Sequence, residues 1–106
     1  MNNEDLNKIV EARLEAVRDT LIKKGIEYST NQDRLSNFKL GAKKTGLNPL
    51  EVLNGYLLKH LVSFDDICQK YVETGKVNNE LLSEKITDIL NYYLLAECIM
   101  KENQTK

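Results

Sequence analysis

Three groups of polar side chains in this sequence have the types and spacing needed to hold a charged ligand. The first lies near the C-terminus. At about 100° per helical residue, Glu84, Asp88 and Asn91 fall within a ~60° arc, with Leu81, Leu95 and Ile99 beside it. Two carboxylates one turn apart repel each other unless something compensates. Among leucines they also need a cation or hydrogen-bond donors. A divalent ion with hard oxygen ligands, Mg²⁺ or Mn²⁺, would serve, with Asp66 as a third ligand. A structural ion pair to Lys59 or Arg34 would serve equally. Spacing leaves both accounts open.

The second group is Lys59, Ser63, Asp66 and Lys70, which share one helical line with Tyr56 beside it. His60, the only histidine, sits where this line meets an apolar face. Lysine, serine and histidine together suit phosphate oxygens. His60 is equally suited to a hydrogen-bonded structural role. No nucleophile, base and acid stand in a triad-like pattern, and capping is the natural role for Ser63. The third group is Asp33-Arg34-Leu35-Ser36-Asn37-Phe38. Arg34 at a helix start can clamp a phosphate bidentately with free backbone amides nearby, and Asn37 adds a polar contact. Tyr28, in the loop before it, is the candidate to stack on a ring, whereas Phe38 is expected in the core. The plain reading of this segment is a helix start with Asp33 capping and Arg34 in solvent.

Helices must position these groups. Leu6, Ile9, Val10, Arg13, Leu14, Val17, Leu21 and Ile22 recur at helical spacing, which predicts a helix over residues 4–24 closed by Gly25. Residues 26–33 read as a polar loop. A short helix over residues 34–44 follows and stops at Gly46. Asn48-Pro49-Leu50-Glu51 is a start signal in which Asn48 caps, Pro49 fits the first turn and Glu51 reaches back. The helix it opens carries Leu53, Leu57, Leu61, Phe64, Cys68 and Tyr71 on one face and ends at Gly75, with a possible restart at residues 63–66. The last helix starts at Asn78 or Asn79 and runs to about residue 101, leaving a frayed tail. Its second half is apolar on nearly every side, which calls for burial against the bundle and a second subunit. The expectation is an all-α, single-domain bundle of four to five helices completed by homo-oligomerisation.

Composition narrows the classes. The chain has 106 residues, 42% hydrophobic and 29% charged, an ordinary globular balance. A net charge of -1 provides no field for general nucleic-acid binding. No apolar run approaches the ~20 residues of a membrane span, and the first residues do not resemble a signal peptide, so a cytosolic protein is expected. Cys68 and Cys98 sit among apolar residues without a metal-ligand spacing and read as small buried hydrophobes.

Taken together, Lys24-Gly25-Ile26-Glu27-Tyr28 with residues 33–38, Lys59-His60-Leu61-Val62-Ser63 with Asp66, and Glu84-Lys85 with Asp88, Asn91 and Tyr92 resemble the nucleotide-modification-associated domain proteins of phages. Those are similar to the MazG-like all-α nucleotide pyrophosphohydrolases. The resemblance spans roughly residues 20–100. It implies acidic residues on facing helices that hold Mg²⁺ against a nucleotide. The chain departs from that pattern, because Glu84 and Asp88 are four apart rather than three. Lys59, His60, Ser63 and Asp66 stand where carboxylates are expected. That exchange removes negative charge for a metal and adds positive charge for phosphate. One implied function is a phage-type, Mg²⁺-dependent nucleotide pyrophosphohydrolase. The other is a non-catalytic binder that sequesters a nucleotide signal or inhibits a host defence protein.

Overall fold

The computed structural model describes residues 1–23 and 33–104. Four α-helices account for most of them: α1 (Asn3–Arg18), α2 (Ser36–Thr45), α3 (Pro49–Thr74) and α4 (Asn79–Gln104). The all-α bundle expected from periodicity is the observed architecture, and no strand occurs among the described residues. None of these helices is long and apolar enough to cross a membrane.

Local chemistry sets the helix ends. The Asn48 side chain accepts from the Leu50 amide at 2.9 Å, and the Asn48 amide donates to Glu51 Oε1 at 3.1 Å, forming the predicted capping box. Gly46 and Gly75 close α2 and α3 with positive φ, a left-handed conformation that costs other residues energy. Asn78 starts α4, its side chain accepting from the Leu81 amide at 3.1 Å.

Several expectations need correction. The α-helical ladder of α1 stops at Arg18 and continues as a π-helical turn, Asp19–Lys23. Thr20 Oγ1 donates to the Ala16 and Val17 carbonyls there, competing with the regular ladder. Gly25, Tyr28 and most of the predicted loop lie outside the described residues. Helix α3 runs through residues 63–66 without a restart. Cys68 and Cys98 are exposed, not buried; Cys68 and Tyr71 lie on the lower half of α3, which packs mainly against α4. The last helix extends to Gln104, and Lys39 Nζ holds Glu102 at 2.6 Å, so residues 102–104 of the expected frayed tail are helical.

Helices α3 and α4 form a long antiparallel hairpin, with α2 packed on α3 near its start. The core lies at that end: Leu35, Phe38, Leu53, Leu57, Ala96 and Ile99 are buried together, and Leu53 is fully enclosed. Helices α2 and α3 approach closely at Gly41, where an added Cβ would stand 2.9 Å from Val52 Cγ1. Helix α1 touches α4 through its second half. Arg13 Nη1 donates to Ser83 O (2.9 Å), Ser83 Oγ (2.6 Å) and Thr87 Oγ1 (2.8 Å), and Val17 is buried. Asn91 Nδ2 donates to Thr20 Oγ1 at 2.7 Å.

Candidate functional site

The antiparallel pairing of α3 and α4 aligns two polar stripes along one groove. At mid-groove, His60 Nδ1 faces Asp88 Oδ2 at 3.5 Å, and the His60 ring lies 5.1 Å from that of Tyr92. The separation is long for a hydrogen bond. His60 Nδ1 is buried and has no hydrogen-bond partner among the described residues. Burial pushes the Asp88 carboxyl above its ordinary pKa, and the neighbouring Glu84 adds to this. His60 and Lys85 pull the other way without cancelling the rise. Burial likewise raises the Tyr92 phenol, helped by Asp88 and Tyr56.

A cleft opens at each end of this centre. Towards the hairpin turn, a cleft of about 400 Å³ is lined by Ser63, Asp66, Lys70, Lys76, Asn78 and Lys85, with Ile67, Val77 and Leu81 as its floor. Three lysines and one aspartate line it, so the charge of the cleft favours an anion. Towards α2, a cleft of about 460 Å³ is lined by Asn37, Phe38, Leu40, Gly41, Lys44, Tyr56 and Tyr92. Phe38 and Tyr56 meet edge-on, with centroids 6.3 Å apart. Its aromatic walls suit a planar ring. Lys85 and Tyr92 mark the two clefts on α4, and seven residues at 1.5 Å each separate them by about 10 Å.

The sequence candidates distribute as follows. Ser63 and Asp66 share the lysine-lined cleft, Asn37 lines the aromatic one, and His60 meets Asp88 between them. Lys59 is exposed and makes no ion pair or hydrogen bond among the described residues. The proposed ion pair from Lys59 or Arg34 to Glu84 or Asp88 is replaced by the His60–Asp88 contact. Arg34 is tied elsewhere: its Nη2 donates to the Leu21 carbonyl at 2.6 Å, bracing the end of the π-helical turn. Asp33 does not cap α2, whose N-cap is Leu35 without a side-chain cap bond; its Oδ1 accepts from the Leu35 amide at 2.9 Å in the preceding turn, and its Oδ2 binds Lys39 Nζ. Phe38 is buried, as expected. Tyr28 lies outside the described residues.

Of the three carboxylates expected to hold Mg²⁺, the structure places Glu84 beside Asp88. Among the described residues, no three His, Cys, Asp or Glu side chains stand close enough to share an ion. Glu84 and Asp88 are neighbours, but Asp66 belongs to the lysine-lined cleft.

Lys76 and Lys85 were not among the ligand candidates, nor were the aromatic walls Tyr56 and Tyr92. Their signal was the antiparallel pairing across the Gly75 turn, which sets residue 63 beside 85 and residue 56 beside 92. Arg13 was read only as part of a helical stripe. Comparison with protein-family profiles, curated proteins and solved structures finds no match to this chain.

Proposed function

We propose that the α3–α4 groove binds a nucleotide or a similar small phosphorylated ligand. The ring would lie between Tyr56 and Tyr92, and the phosphates against Lys70, Lys76 and Lys85. One observation carries this reading: a cleft walled by aromatic rings and a cleft walled by three lysines open on the same groove, about 10 Å apart along α4. Aromatic faces stack on any base, and ammonium groups neutralise phosphate oxygens. His60 and Asp88 stand between, where a ribose or the first phosphate would pass. The resemblance to the phage nucleotide-modification-associated proteins points to the same ligand class and to action in the cytoplasm of a host cell.

The reading favours a binder over a hydrolase, because Lys59, His60 and Ser63 stand where the resembled hydrolases carry carboxylates. Titration of the full-length protein with nucleoside mono-, di- and triphosphates, with and without Mg²⁺, tests both. Binding should raise the melting temperature, since a ligand selective for the folded state stabilises it by mass action. Lys85→Ala should weaken triphosphate binding about tenfold or more, equivalent to ~1.4 kcal/mol, while the unliganded melting temperature stays within 2 °C. No thermal shift with any nucleotide at millimolar concentration would reject the proposal. Release of pyrophosphate only with Mg²⁺ would replace the binder with the hydrolase.

A further inference from the structure

The aromatic cleft carries a cation of its own. Phe38 meets Tyr56 and Gly41 meets Val52, so α2 runs antiparallel to α3. Lys44 therefore stands about 9 Å beyond Phe38, six residues on at 1.5 Å each, on the side away from His60 and the other cleft. Helical side chains lean towards the N-terminus of their helix, which brings Lys44 back into the lining of the cleft beside Gly41. Asn37, on the same line of α2 two turns earlier, lines the inner end. Neither side chain is committed to the fold. Lys39 of the same helix is held by Asp33 and Glu102, each at 2.6 Å. Lys44 and Asn37 make no side-chain ion pair or hydrogen bond among the described residues. Among those residues, no carboxylate lines the aromatic cleft.

We infer that the ring held by Tyr56 and Tyr92 is a guanine, selected by Lys44. The assignment rests on the nucleotide reading of the groove and adds the base to it. With the phosphates against Lys70, Lys76 and Lys85, the outer edge of the ring points along α2 to Lys44. An ammonium group has three donors and no acceptor. Guanine meets it with two acceptors on one edge, O6 and N7. Adenine offers N7 beside an N6 amino group, and cytosine an N4 amino group. Those donors need an acceptor, and against Lys44 they meet another donor. Uracil and thymine bring O4 alone. Asn37 could serve adenine, but it stands about 10 Å from Lys44 along α2, at the sugar end of the ring.

Isothermal titration calorimetry of the full-length protein with GTP, ITP and ATP tests the assignment. ITP keeps O6 and N7 and lacks the 2-amino group. GTP and ITP should bind alike, and both about tenfold or more tighter than ATP, the discrimination one bidentate contact gives. Lys44→Ala should bring GTP to within about threefold of ATP, with the unliganded melting temperature unchanged. Lys43→Ala removes the same charge from another face of α2 and should keep the preference. ATP binding as tightly as GTP, or a preference that survives Lys44→Ala, would overturn the inference and leave the nucleotide reading standing. So would a preference lost equally in Lys43→Ala, which would trace it to net charge, or one for GTP over ITP, which would trace it to the 2-amino group. Absence of binding by all three would reject the nucleotide reading and the guanine assignment together.

Discussion

Asp88 shows at the scale of one residue how surroundings outweigh a partner. A histidine 3.5 Å away ought to hold the carboxylate ionised, yet burial and Glu84 raise its pKa. The folded chain therefore keeps the Asp88 proton to higher pH than the unfolded chain does. In that window the native state binds more protons, so stability falls as pH rises. Above it, the cost of the buried charge is present in full; below the ordinary aspartate range it vanishes. Asp88→Asn should accordingly melt higher than the wild type at pH 7, with the gap closing as pH drops below about 4. Melting curves of the pair across that range check this. A wild type more stable at pH 7 would mean that the His60 attraction outweighs burial. The sequence marked Asp88 as a carboxylate in need of compensation, but it offered lysine, arginine or a metal as the remedy. Which partner arrives depends on the register between two helices, and a one-dimensional stripe does not contain that register.

Among the elements, helix starts and stops were the most legible part of the sequence. The Asn48-Pro49-Leu50-Glu51 box, Gly46 and Gly75 act through neighbours three or four residues away, so sequence distance equals spatial distance. The π-helical turn after Arg18 and the exposure of Cys68 and Cys98 were not legible. The cysteines' exposure depends on what the rest of the chain packs against, and the turn coincides with the Thr20 side-chain bonds to the Ala16 and Val17 carbonyls. Helix α1 is the clearest case: among the described residues, its polar seat on α4 centres on one guanidinium among hydroxyls and a carbonyl. Arg13→Ala would remove three hydrogen bonds and leave the buried Thr87 side chain with one fewer partner. Bonds from a charged donor contribute ~1.5–3 kcal/mol, so a loss of about 2 kcal/mol is expected, measurable by urea denaturation. A loss under 0.5 kcal/mol would show that Val17 and Thr20 seat α1 unaided.

At the scale of the molecule, the described chain is longer and looser than its length requires. It spans 45 × 28 × 25 Å with a radius of gyration of 16.1 Å, against about 13 Å for a compact domain of this size. The sequence anticipated surplus apolar surface but assigned it to α4, whose apolar residues surround the whole helix. Helix α4 does expose Leu81, Leu90, Tyr93, Leu94 and Met100, and α1 adds Leu6, Ile9, Val10 and Leu14. The lysine-lined cleft lies at the hairpin end, whereas the aromatic cleft lies at the α2 end and shares Phe38 with the core.

The close approach at Gly41 links those two parts. One methyl group there meets Val52, a branched side chain with little room to turn, and the same glycine forms a wall of the aromatic cleft. Gly41→Ala should cost about 1–2 kcal/mol as α2 is levered from α3, read as a lower melting temperature, and it should alter ring binding with Lys85 untouched. A variant as stable as the wild type would show that Val52 yields instead. The width of the cleft is then governed by an atom the protein does not possess, and selection for a wider or narrower ring slot would act on residue 41 before it acted on any tyrosine.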